Sequence, residues 1–211
     1  MLQDLSYKYY HKQGSKTVYL VLHGGGPEGI ETTFISNIIN ALTTMGNSVF
    51  GFNFPYCERG EENSSGPELI EETATLEKVM QFLRGESYKK IVIVAKSLGG
   101  IITSYWLEQN KAEGVEVVIL GYVIGSVKTA ALQDKLHVVI QGENDRFGNA
   151  DAVREELAKH DVTAEVIEVP KADHSYRNVQ KEPIHQEEAT TLLLTSLTRS
   201  RASQWQMVAG R

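Results

Sequence analysis

The sequence predicts an α/β protein: a mostly parallel sheet of six or seven strands, covered by helices on both faces in three layers. Three observations carry this. Short β-branched runs alternate with stretches of helical spacing, which is the pattern of β-α crossovers. The runs Thr17 to His23 and Lys90 to Ala95 are near-continuous in apolar residues, as strands buried on both faces require. The 211 residues, 41% of them hydrophobic, suit one domain, and no repeat or linker interrupts them.

The elements follow in order. Thr17-Val-Tyr-Leu-Val-Leu-His23 reads as a buried strand. After a glycine-rich turn, Phe34, Ile38, Ala41 and Leu42 share one helical face, and Gly46 closes that helix. Ser48 to Phe54 is the next strand, stopped by Pro55. Pro67 suits a first helical turn, and Leu69, Thr73, Leu76, Met80 and Leu83 then step at helical intervals as far as Gly85. Lys90 to Ala95 is a strand, and Ile101, Ile102, Tyr105 and Trp106 mark the helix after it. Val115 to Leu120, Leu136 to Ile140 and Ala164 to Val169 are further strands. Ala150 to Lys159 and Gln186 to Leu197 are helices, the latter with Ala189, Leu193 and Leu197 on its apolar face. Residues 202–211 show no clear period and are expected to form a tail that Trp205 could pin down, leaving a core of about residues 17–197 in a single domain 1–211.

Composition removes several functional classes. Twenty-one basic against 27 acidic residues give a net charge of −6, and no Lys/Arg block occurs, so no nucleic-acid partner is expected. A single cysteine, Cys57, excludes an internal disulfide and a cysteine-rich zinc site. No apolar run reaches membrane-span length, and the first 14 residues lack a signal-peptide core. A cytoplasmic location is the resulting expectation. Nothing in the sequence sets an oligomeric state.

In an open parallel sheet, function gathers at the C-terminal ends of the strands. The first informative junction is Ala95-Lys96-Ser97-Leu98-Gly99-Gly100. A serine hydroxyl becomes a nucleophile when it is exposed, aimed and deprotonated as it attacks. A sharp strand-to-helix turn aims it and demands small residues two before and two after, here Ala95 and Gly99. It also points the Leu98 N–H toward the reacting centre. A serine N-cap of an ordinary α/β unit competes with this reading.

That junction resembles the nucleophile elbow of the α/β-hydrolase superfamily, with Ala95 in place of its first glycine. His23-Gly24-Gly25-Gly26-Pro27-Glu28-Gly29 resembles the superfamily's oxyanion loop. The resemblance implies that Gly25 donates a second N–H beside Leu98 and that His23 braces the loop. A rival reading exists: Gly24, Gly26 and Gly29 satisfy the dinucleotide fingerprint. It fits poorly, because Gly51-Phe52-Asn53-Phe54 offers no acid for a ribose and Glu28 would repel a pyrophosphate.

Asp145, in the loop after the strand Leu136 to Ile140, matches the superfamily's acid position. Glu143 competes with it, as does a role for Asp145 as a helix-capping turn residue. Of six histidines, His185 opens the final helix, and only His174 lies in the loop between the last strand and that helix, where a general base can reach the serine. The order Ser97, Asp145, His174 is that of α/β-hydrolases.

Ser97 and Asp145 stand only 48 positions apart, too few for a lid domain between them. The resemblance is therefore to the small lidless branch that includes dienelactone hydrolase-like esterases and thioesterases. Phe52-Asn-Phe-Pro-Tyr-Cys57 is further similar to predicted small hydrolases related to testis-expressed hydrolase-like proteins. The implied activity is cleavage of a small carboxylic ester or thioester through an acyl-enzyme, with no metal or organic cofactor. The alternative keeps the fold as a catalytically silent binding or interaction module. Cys57 is expected to have no catalytic part, and Glu58 and Arg59 are expected to be solvated loop charges.

Overall fold

The computed structural model describes Leu2 and residues 5–209, the last ten of these as backbone path only. The elements run β1 (Tyr7–Tyr10), β2 (Thr17–Leu22), α1 (Thr33–Thr44), β3 (Ser48–Phe52), α2 (Pro55–Glu58), α3 (Ile70–Gly85), β4 (Lys90–Lys96), α4 (Leu98–Gln109), β5 (Val115–Leu120), β6 (Leu136–Gly142), α5 (Ala150–Lys159), β7 (Glu165–Val169) and α6 (Gln186–Ala209). They form a seven-stranded sheet in the order β1-β3-β2-β4-β5-β6-β7, parallel except for β1.

Strand β2 shows why a central run is apolar. Val18, Leu20 and Leu22 enter one core with α2–α5, while Tyr19 and Val21 enter the other with α1 and α6. Each face of the sheet removes its own set of side chains from water, at about 25 cal/mol per Å² of apolar surface. The predicted apolar faces are the buried ones: Phe34, Ile38 and Leu42 on α1, and Ala189, Leu193 and Leu197 on α6.

Three expectations need correction. Strand β1 carries no apolar alternation and was not expected, yet it pairs antiparallel with β3, and Tyr7 stacks on Phe50 with ring centroids 5.3 Å apart. The third helix starts at Ile70, so Pro67 lies in the preceding turn. Leu69 adopts φ +53 there, which breaks helical continuity while burying its side chain in the core. The segment 202–211, expected as a tail, continues α6 through Ala209. Gly210, Arg211 and the Trp205 side chain lie outside what the structure describes.

Chain direction across the sheet sets the site. From β2 the chain moves to β3 on one side, then returns to β4 on the other. The loops leaving β2 and β4 therefore diverge and open a crevice between them at the carboxyl edge. Leu22 and Ala95 are register partners there, so the glycine-rich loop and Ser97 emerge side by side.

Candidate active site

Ser97 occupies the β4–α4 turn with φ +50 and ψ −112. That strained conformation is rare for a side-chain-bearing residue. Close packing enforces it. A Cβ on Gly99 would come within 2.8 Å of the His23 carbonyl and 2.9 Å of Leu22 Cβ, and one on Gly100 within 3.2 Å of Ile119. Helix α4 can begin this close to β2 and β5 because both positions are glycine. The Ser97 hydroxyl makes no capping bond. Its Oγ lies 2.7 Å from His174 Nε2.

His174 Nδ1 lies 2.7 Å from Asp145 Oδ2, so Nδ1–H donates to the carboxylate and Nε2 is free to accept from Ser97. The Phe147 ring meets the imidazole edge-on, with centroids 4.6 Å apart. Burial and the adjacent Lys96 charge hold His174 below its usual pKa, against the opposing pull of Asp145. Asp145 does not cap α5; Asn149 does, accepting from the Ala152 N–H. Asp145 Oδ1 instead accepts from the Phe147 N–H, and Oδ2 also accepts from Gln141 Nε2 at 3.0 Å. Glu143 is committed elsewhere, accepting the Lys171 N–H.

The loop after β2 is braced by His23, which is 1% exposed. Its Nε2 accepts the Phe54 N–H at 3.0 Å, and its Nδ1–H donates to the Gly24 carbonyl at 2.7 Å. Tyr56 donates to the same carbonyl. Both ring nitrogens are thus fixed in one neutral tautomer, and burial lowers the pKa to about 4. Gly24 lies against Ser97, where a Cβ would approach Ser97 Cβ to 3.3 Å. The Gly26 N–H donates to Glu62 O, which anchors the loop beside Gly25. Leu98 opens α4, so its N–H has no intrahelical acceptor. Gly25, Ser97 and His174 line one cleft of about 220 Å³, together with Lys96, Phe34 and Arg177.

The other candidates lie elsewhere. His11 bonds Tyr88, His137 faces Glu116, His160 faces Glu156 and His185 faces Glu188. The Cys57 thiol donates to the Pro27 carbonyl, and burial raises its pKa. Arg59 is paired with Glu61 and Glu71, while Glu58 accepts from Ser6. Among the described residues no group of three or more His, Cys, Asp or Glu could hold a metal ion, and no helix is long and apolar enough to cross a membrane.

Two site residues escaped the sequence reading. Lys96 resembled the polar end of a strand, although its place next to Ser97 put it in the cleft. Gln141, an amide near the end of an apolar strand, was the signal for a buried hydrogen-bonding partner.

An elbow serine at the switch point of a mostly parallel seven-stranded sheet, with no lid domain, defines an α/β-hydrolase fold. The chain belongs to that family: the family model described as the alpha/beta hydrolase domain matches residues 15–200. No curated protein matches the sequence. Among solved structures, it resembles ATU1826 from Agrobacterium tumefaciens at 17% identity, with a TM-score of 0.74 and coverage of 94% of this chain and 92% of that one. XC6422 from Xanthomonas campestris, described as an α/β serine hydrolase without lid, is 15% identical, with a TM-score of 0.70 and coverage of 92% and 88%. The esterase Pf2001 from Pyrococcus furiosus is 18% identical, with a TM-score of 0.67 and coverage of 92% and 87%.

Proposed function

We propose that the protein is a serine hydrolase that cleaves small carboxylic esters or thioesters through an acyl-enzyme. The observation that carries this reading is the continuous relay Ser97 Oγ to His174 Nε2, and His174 Nδ1 to Asp145 Oδ2, each at 2.7 Å.

Ser97 Oγ attacks the substrate carbonyl carbon as its proton passes to His174 Nε2. The carbonyl oxygen becomes an oxyanion, received by the N–H groups of Leu98 and Gly25. His174 then returns the proton to the departing alcohol or thiol, leaving Ser97 acylated. Water enters along the same path: it gives a proton to His174, its oxygen bonds the acyl carbon, and the proton returns to Ser97 as the acid leaves. Asp145 holds the tautomer and balances the imidazolium without taking a proton. Backbone strain at Ser97 supports this reading over the silent scaffold, since strain of that kind collects where an aimed side chain is needed. The open cleft favours small or surface-presented acyl groups. The serine hydrolase XC6422 and the esterase Pf2001 share the architecture and lend the reading its chemical class.

The test is covalent labelling by a fluorophosphonate probe, with turnover of short p-nitrophenyl esters and thioesters. Labelling and turnover that vanish in Ser97→Ala are expected. A folded parent that neither labels nor turns over any member of the panel sinks the proposal in favour of a binding scaffold.

A further inference from the structure

Lys96 ends β4 next to Ser97 and is 8% exposed. An ammonium at that depth ordinarily meets a carboxylate, but among the described residues Lys96 forms no ion pair within 4.0 Å. Its Nζ instead stands 3.4 Å from His174 Nε2, the nitrogen that faces Ser97 Oγ. The slot is closed on two further sides. Nζ lies 5.7 Å from the centroid of the Tyr176 ring, and a Cβ on Gly121 would come within 2.8 Å of Nζ and 3.0 Å of His174 Cε1. The amine is packed against the edge of the imidazole that has to gain and lose a proton.

We propose that Lys96 is a positioning residue whose ammonium sets the proton affinity of His174, making the imidazole a weaker base and its conjugate acid a stronger proton donor. The kinetic part rests on the hydrolase reading above; the electrostatic part does not.

The argument begins with one lone pair. With Nδ1–H committed to Asp145, Nε2 has a single acceptor site, and Ser97 takes it at the shorter distance. In the resting site the Lys96 charge faces a neutral ring at little cost. Once His174 takes a proton, two cations stand 3.4 Å apart in a poorly solvated pocket, and the imidazolium is disfavoured. The surrounding groups leave this opposition in place. From the loop after β6, Asp145 stabilises the imidazolium and Arg146 opposes it. From the loop after β7, Asp173, paired with Lys181 and bonded by the Ser175 and Arg177 N–H groups, favours the protonated Lys96, while Arg177 adds a cation to the cleft lining. Tyr176 stays neutral, its hydroxyl donating to Ile140 O. His23, from the β2 loop, is held neutral by its own bonds.

Burial also lowers Lys96 itself, to about 8. The two groups then titrate as a coupled pair, the proton on one disfavouring the proton on the other.

The experiment is an NMR titration of the His174 Cε1–H in the wild-type chain, identified by its loss in His174→Gln. It requires no turnover. The expected curve has its main inflection below 6.5 and a second, smaller one near pH 8 as Lys96 is deprotonated. In Lys96→Met the main inflection should move up by about one pH unit and the second should disappear. In Lys96→Arg the charge persists, so the main inflection should stay in place while the second is lost. The acid limb of kcat/KM should move with the NMR inflection. A wild-type curve with a single inflection, together with an unmoved one in Lys96→Met, overturns the proposal. So does a Lys96→Met variant whose only change is a raised KM, which would make Lys96 a substrate-binding group. If no ester is turned over but the NMR coupling is present, the hydrolase reading fails and the coupling stands.

Discussion

Gln141 Nε2 donates to Asp145 Oδ2 at 3.0 Å, so the carboxylate facing His174 is held from behind by the strand that delivers it. The two N–H groups of that amide are shared among Asp145 Oδ2, the Gly148 carbonyl and, at the longer 3.2 Å, the Tyr122 carbonyl, and Gln141 Oε1 accepts the Tyr122 N–H at 2.7 Å. One fully buried side chain thereby ties the β5 and β6 ends to the acid loop. Replacing Gln141 with Leu keeps the volume and removes every one of these bonds. The buried Tyr122 N–H is then orphaned, at a cost of about 1–3 kcal/mol, measurable by urea unfolding. Because Asp145 loses its rear anchor, kcat should fall about 10- to 100-fold, the scale on which outer partners of a site residue act, with KM nearly unchanged.

Asp145→Asn tests the carboxylate directly. An amide in its place can accept the Phe147 N–H as Oδ1 does now, but its NH2 then faces the donating Gln141 Nε2, so the chain should still fold with a lowered melting temperature. The amide does not compel His174 to carry its proton on Nδ1. With that proton on Nε2, the nitrogen cannot accept from Ser97, and kcat should drop by about 10⁴. A variant retaining parental turnover would remove Asp145 from the relay.

The β-α alternation was legible because buried parallel strands need unbroken apolar runs, and Lys90 to Ala95 supplies one. The four chemical junctions were legible because each lies just past a strand that the sequence predicts. Less could be read where tertiary packing decides. Strand β1 is an edge strand whose tyrosines gain their place from Phe50 and Phe82 across the fold. The left-handed Leu69 defers α3 past Pro67 for the sake of one buried side chain. Lys96 reads as a polar strand end, and only the sheet's geometry turns it toward His174 instead of water.

Gly121 shows how little room this geometry leaves. It sits at φ +71 just past β5, where a Cβ would press on Lys96 Nζ and His174 Cε1. Gly121→Ala therefore combines a strained backbone, costing about 1 kcal/mol or more, with displacement of the imidazole. We expect a lowered unfolding midpoint together with at least about tenfold lower kcat/KM, which corresponds to a loss of only about 1.4 kcal/mol in transition-state stabilisation. Destabilisation with full activity would show that the slot yields without moving His174.

His23 gives the fold an acid sensitivity separate from catalysis. Its folded pKa of about 4 lies below the ordinary 6.5, because burial disfavours the charged ring and Nε2 already accepts the Phe54 N–H. Above pH 6.5 both folded and unfolded chains carry a neutral imidazole, and this group adds no pH dependence. Between 6.5 and 4 the unfolded chain binds a proton that the folded chain refuses. The unfolding free energy should therefore fall as pH drops, by about 3 kcal/mol over the window at 1.36 kcal/mol per pH unit. His174, also depressed, acts in the same direction below 6.5. In His23→Gln the amide oxygen can accept the Phe54 N–H, and Tyr56 still donates to Gly24 O, but nothing titrates. That variant should be less stable at pH 7 by about 1 kcal/mol, and its stability should decline less steeply toward pH 4, so the two curves converge in acid. Parallel curves for parent and variant between pH 6.5 and 4 would show that His23 is not the group that takes the proton on unfolding.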